Sequence, residues 1–269
     1  MAQATTVVSN DVQSSTMGLR SAVRRLWEVD VWRGLAIVAM VIYHLTWDLH
    51  AYAEVYVDLF SPFWFYFQRS IASSFVLLVG ISLTISYNRA RQKAGGTQGL
   101  YWKFFRRGLK VVGIALGITL VMKLTGAGRI DFGILHMIGV SILLAYPFLR
   151  FRWLNLIFIA ILMPLSYYLK TIPVTTSAWV WLGITPPGYA PQDYFPLVHW
   201  FAVVLIGVFL GNLIYTNGVR HFSLPDYSHF FPFNVLGFLG RHSLLIYVIH
   251  QPILIAILIA TGIANVGFF

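Results

Sequence analysis

Eight histidines and no cysteine bound the chemistry open to these 269 residues. Without sulfur there are no disulfides, thiolate metal sites, iron–sulfur clusters or cysteine nucleophiles. Imidazole is the remaining group that titrates near neutrality. Asp30, Arg33, Ile37, Met40, His44 and Asp48 recur at i, i+3, i+4 steps and share one helix face. At the rise of an α-helix, His44 lies about 16 Å beyond Arg33, with Asp48 one turn further on. A carboxylate at that spacing can hold an imidazole's tautomer and raise its basicity, which suits a general base. Tyr247, His250 and Gln251 share a second face beside Pro252, which distorts its helix.

These residues sit in an apolar chain. Hydrophobic residues make up 58 % and charged residues only 10 %, against about 25 % charged in soluble domains. Mean hydropathy is +0.73. A cytosolic globule is excluded, and so is a nucleic-acid binder, although the net charge is +10. Apolar runs of membrane-spanning length recur, and seven spans are expected: 31–50, 63–87, 108–124, 132–149, 153–169, 195–215 and 243–260. The expected fold is an all-α polytopic membrane helix bundle, one domain over 20–269. Residues 1–19, rich in Ser, Thr, Gln and Val, are expected to form a disordered cytosolic tail. The longest link, 170–194, carries Trp179, Trp181 and Pro186-Pro187-Gly188. It is either an interfacial, lid-like segment or a plain connector.

Charge orients the bundle. A cytosolic N-terminus puts 15 of the 19 basic residues inside: Arg20, Arg24, Arg25, Arg33, Arg89, Arg91, Lys93, Lys103, Arg106, Arg107, Lys110, Arg150, Arg152, Arg220 and Arg241. Only Arg69, Lys123, Arg129 and Lys170 fall outside, with Asp48, Glu54, Asp58, Asp131 and Asp193. That asymmetry follows the positive-inside rule. The absence of Asn-x-Ser/Thr sequons agrees with a bacterial plasma membrane.

Ionisable groups at membrane depth are costly and mark cavities or each other. Counting along the spans puts His44, His136, His199 and His250 at overlapping depths, so a shared polar cavity is expected. The competing interpretation is that each imidazole merely satisfies a nearby carbonyl. No His pair has metal-ligand spacing on one helix, so no metal site is expected. Arg33, Arg106, Arg107, Lys110 and Arg241 gather at the cytosolic level, where guanidinium forks suit phosphates. Phospholipid headgroups would satisfy the same cluster.

Several of these stretches resemble the membrane acyltransferases of the heparan-α-glucosaminide N-acetyltransferase type and their short bacterial relatives. They are RLWEVDVWRGLAIVAMVIYHLTWDL (25–49), FVLLVGISLTISYNRAR (75–91), RIDFGILHMIGVSILLAYPF (129–148), DYFPLVHWFAVVLIGVFLG (193–211) and GRHSLLIYVIHQPIL (240–254). The resemblance implies transfer of an acetyl group from cytosolic acetyl-CoA to an extracytoplasmic amine or hydroxyl acceptor of sugar or glycan type. His44 matches the functional position on the first helix, and His50 is the nearest match to a second functional His after it. The implied scheme has Arg33, Arg106, Arg107 and Arg241 on the nucleotide phosphates and His44, oriented by Asp48, as base. His136 or His250 would donate to the thioester oxygen. The chain has fewer spans than the larger members and lacks their extracytoplasmic domain, which makes a homo-oligomer worth considering. The rival functions are a proton-coupled transporter, which needs the same buried His and Asp, and a scaffold whose polar residues only join helices.

Overall fold

The computed structural model describes residues 25–126 and 128–263. The expected tail, with Arg20 and Arg24, lies outside the described residues. Among the described residues eight α-helices follow in order: α1 Trp27–Tyr52, α2 Pro62–Ala94, α3 Leu100–Thr125, α4 Ile134–Ala145, α5 Trp153–Leu169, α6 Leu197–Ile214, α7 Phe233–Arg241 and α8 Ser243–Ala260. The described residues contain no strand, only one isolated bridge between Phe132 and Tyr194. The chain is an all-α polytopic bundle. Helices α1, α2, α3, α6 and α8 are long and apolar enough to cross a membrane, and 134–148 and 153–169 are shorter apolar helices. All seven expected spans thus have a helix.

Two expectations need correcting. Helix α3 begins at Leu100, not Gly108, so Arg106 and Arg107 lie within the helix and do not cap it. Helix α7 was not anticipated: nine residues with two glycines, between Pro232 and the turn at His242, have no span-length hydropathy signal.

Lipid tails are as apolar as leucine, so helices in a bilayer associate by close backbone approach and polar contacts more than by burial. Helix α2 packs against α6 in this way. A side chain at Gly80 would strike the Val204 carbonyl, and one at Gly207 the Leu77 carbonyl. The Thr84 hydroxyl, bonded to the Gly80 carbonyl of its own helix at 3.0 Å, also reaches the Val208 carbonyl of α6 at 3.5 Å. The pairs Gly80–Gly207 and Thr84–Gly211 advance together, with Arg89–Gly218 continuing the order just beyond α6, so α2 and α6 run parallel. Val76, Leu83, Val204, Leu205 and Val208 fill the centre. Helix α1 lies against α7, α2 and α8, and Gly34 and Gly240 bring the α1 and α7 backbones together. Much of α3 and α8 faces outward, as helices on the lipid boundary do.

The link 170–194 is ordered and contains one 3-10 turn, Ser177–Leu182. It is stitched to the loop before α4. The Gln192 amide donates to the Arg129 carbonyl at 3.2 Å and the Phe195 amide to Phe132 at 2.9 Å. Tyr189 donates to Asp131 at 2.8 Å, and Asp193 accepts from the Ile134 amide at the start of α4 at 3.1 Å.

Candidate functional site

The α1–α8 contact brings two of the four expected histidines together. The rings of His44 and His250 are 4.8 Å apart and nearly perpendicular. Each is fixed by its own helix: His44 Nδ1 lies 2.9 Å from the Met40 carbonyl and His250 Nδ1 2.7 Å from the Tyr247 carbonyl. A carbonyl only accepts, so each Nδ1 carries the proton and each Nε2 keeps its lone pair. Both rings are therefore set as bases. His44 is half-buried, while His250 Nε2 is buried without a partner. Helix α8 runs on through Pro252, whose missing N–H leaves the Val248 carbonyl without its helical donor beside this pair.

Asp48 does not orient His44. Its Oδ1 accepts a 2.6 Å hydrogen bond from Gln251 Nε2 on α8, while the Met40 carbonyl holds the imidazole. Asp48 is fully buried, and Asp48 Oδ2 and Gln251 Oε1 have no partner. Three acceptors, Asp48 Oδ2, Gln251 Oε1 and His250 Nε2, are thus enclosed without donors. The sequence shows Gln251 on the His250 face but gives no sign of its bond to Asp48, because the two are 203 residues apart.

The other two histidines lie elsewhere. His136 packs against Phe132, with Nε2 3.5 Å from Thr119 Oγ1 on α3. His199 contacts Ser166, Tyr167 and Trp200. Neither ring touches His44 or His250. Matching depth did not mean convergence, because the helices carry these rings at different azimuths around the bundle. His50, at the outer end of α1, is exposed and bonded to the Val55 carbonyl at 3.1 Å.

At the cytosolic level Arg33 is committed to the protein. It bonds Asp30 at 3.1 Å, Ser82 at 2.7 Å and the Gly240 carbonyl at 3.4 Å, and Arg25 reaches the same Asp30 at 2.6 Å. Arg107 is exposed, has no ion pair among the described residues and lies within electrostatic range of Arg33. Arg106 lines a surface hollow of about 530 Å³ with Gly99, Trp102 and Lys103. Arg241 is exposed, its guanidinium lying along Gly237. Arg106, Arg107 and Arg241 are thus available to an anion, whereas Arg33 is mainly a structural cation.

The stitched outer loops carry two carboxyls of opposite behaviour. Burial acts to raise Asp131, but hydrogen bonds from Arg129 and Tyr189 and the Arg129 charge outweigh it and hold the group below its ordinary value. Asp193 is pushed up to about 6 by burial, only partly opposed by the Ile134 amide. It lies within electrostatic range of Tyr247, so the outer loops reach the helix that carries His250. Burial also lifts the neighbouring Tyr194 phenol to about 12.

Fold and site define a polytopic helical membrane protein with an imidazole pair, one ring buried and one half-buried, between its first and last long helices and open arginines at one mouth. No group of His, Asp or Glu among the described residues has the arrangement of a metal site. Residues 25–252 match the family described as heparan-alpha-glucosaminide N-acetyltransferase, catalytic. The match covers most of the chain, and the protein belongs to that family of membrane transferases. No curated protein and no solved structure matches it.

Proposed function

We propose that this protein moves an acetyl group from cytosolic acetyl-CoA to an amine or hydroxyl of a glycan-type acceptor on the opposite face of a bacterial plasma membrane. The observation that carries this reading is the His44–His250 pair, with both Nδ1 atoms anchored on carbonyls and both Nε2 lone pairs kept for a proton. Family membership favours a transferase over the transporter and scaffold alternatives.

His44 Nε2 takes the acceptor's proton as its nitrogen or oxygen bonds to the thioester carbonyl carbon. The carbon–sulfur bond then breaks, and the imidazolium returns that proton to the departing thiolate. His250, in ring contact, shares the positive charge while the proton is held. Asp48, anchored by Gln251, supplies negative charge to the same enclosure. As a neutral ring His250 has no Nε2 proton to give, so its part is that of an acceptor and not a donor to the thioester oxygen. His136 stands outside this constellation. Arg106, Arg107 and Arg241 would hold the nucleotide phosphates by charge-assisted hydrogen bonds, with Arg33 bracing the helices behind them.

Purified protein should release free CoA from acetyl-CoA when given an amino-sugar or hydroxyl acceptor. His44→Ala should lower that release by about 10²–10⁴-fold at unchanged yield of folded protein. Unaltered turnover in the variant removes His44 from the chemistry. Acceptor-independent solute flux in sealed vesicles, without CoA binding, replaces the transferase with a transporter.

A further inference from the structure

The positive-inside pattern leaves four basic residues on the outer face, and they differ in their surroundings. Arg129 is paired with Asp131 at 2.9 Å. Arg69 and Lys170 have no ion pair among the described residues, and both are exposed. They come from helices distant in sequence, yet both lie within electrostatic range of one ring, His199. The parallel register of α2 and α6 explains the Arg69 approach. Carried back from Gly80–Gly207, it sets Arg69 level with Pro196, at the start of α6. Lys170 follows directly on α5, with Nζ 5.3 Å from the centre of the Tyr167 ring, and that ring is 6.2 Å from His199. Ser166 Oγ donates to the Met163 carbonyl at 2.7 Å, so at 3.2 Å it accepts from His199 Nδ1. Arg69 is held over Phe65 at 4.8 Å.

Two unpaired cations beside an imidazole, with no carboxylate between them, repel one another unless an anion joins them. We infer that Arg69, Lys170 and His199 form a binding site for the phosphate of an outer-leaflet lipid. The aromatic surroundings set the depth: Tyr66, Tyr167 and Tyr168 are strongly exposed, as rings at headgroup level are. The choice of a lipid over a small phosphate follows from what lies below. Ile157, Ile161 and Leu165 are exposed at four-residue steps along α5, an apolar track leading from Lys170 into the bilayer, where an acyl chain would lie. This site does not depend on acyl transfer and is judged by binding alone.

Native mass spectrometry of the detergent-released protein, titrated separately with phosphatidylglycerol and phosphatidylcholine, tests it. The wild type should retain phosphatidylglycerol in preference to phosphatidylcholine. An R69Q/K170Q variant should hold one phosphatidylglycerol roughly twenty-fivefold more weakly, from about fivefold for each cation. K123Q, at the remaining outer cation, should match the wild type, and R69K/K170R should restore retention, which separates charge from folding. Equal retention in R69Q/K170Q, or phosphatidylcholine held as tightly as phosphatidylglycerol, overturns the site. Inorganic phosphate that binds where phosphatidylglycerol is not retained overturns the lipid assignment.

Discussion

The two ends of α1 carry the same kinds of residue in opposite states. At the cytosolic end Asp30 takes Arg25 and Arg33, and Arg33 goes on to Ser82 and the Gly240 carbonyl. Toward the outer end Asp48 has one amide partner, and Asp48 Oδ2, Gln251 Oε1 and His250 Nε2 have none. A buried polar atom without a partner costs about 1–3 kcal/mol, and removing one side of a buried pair costs more. The cytosolic end is therefore spent on holding α1, α2 and α7 together. The outer end gives up stability, and what it retains is unsatisfied acceptor capacity next to two bases. A carboxylate in an apolar span is thus not informative by its presence alone; its partners decide whether it is glue or chemistry.

The sharpest way to break this contrast is to neutralise each carboxylate in turn. Asp30→Asn strands Arg33 and should cost about 3 kcal/mol of unfolding free energy, leaving the rate per folded molecule close to normal. Asp48→Asn keeps an oxygen for Gln251 and relieves an unpaired charge. It should leave stability unchanged or slightly raised while acetyl transfer falls by about tenfold or more. Denaturant unfolding in micelles and CoA release, measured on the same preparations, separate the two. If Asp48→Asn unfolds early with turnover intact, the ends of α1 do not differ in kind.

Backbone contact gives a smaller test of the same division. A methyl group at Gly240 would overlap the Asp30 carbonyl, so Gly240→Ala should push α7 off α1 and cost about 1–3 kcal/mol. Gly113 on the outward side of α3 has open space around it. Gly113→Ala should be neutral or stabilising by up to about 1 kcal/mol through helix propensity. Equal effects at both positions in thermal unfolding would mean that the α1–α7 seam bears no special load.

How much of this was legible in the sequence depends on the physical signal. Hydropathy sums over a whole span, so all seven long apolar segments stood out, and the bounds 153–169 and 243–260 agree with α5 and α8. Helical periodicity placed His44 with Asp48 and His250 with Gln251 on common faces. It could not say which face meets which, because residue counting gives height in the membrane and not direction around the bundle. That is why His136 and His199 were grouped with the pair. Helix α7 escaped because nine residues are too few for a span, and its packing rests on glycines that carry no periodic signal. The outer stitch escaped because Ile134 and Asp193 are 59 residues apart and a lone loop aspartate does not advertise a partner.

That stitch gives the smallest effect and the one with a definite pH signature. Asp193 titrates at about 6 in place of the ordinary 3.8 because burial disfavours its charged form more than the Ile134 amide supports it. The folded state therefore binds the proton more tightly than the unfolded chain. The stabilisation is present in full below about 4 and is lost as pH rises to about 6. Asp131 works the other way: its depressed value makes it stabilising above the ordinary carboxyl range and costs stability only as pH falls further. The two windows do not overlap. Amide exchange of Ile134 and of residues 129–133, corrected for intrinsic rates, should show protection falling between pH 4 and 6 in the wild type. Asp193→Asn keeps an acceptor for the Ile134 amide and cannot ionise, so its protection should be flat across that range. A wild-type profile that is level, or that rises with pH, would mean that Asp193 is charged and well solvated. The outer loops would then resemble the partnered cytosolic end of α1 and not its buried, half-satisfied outer end.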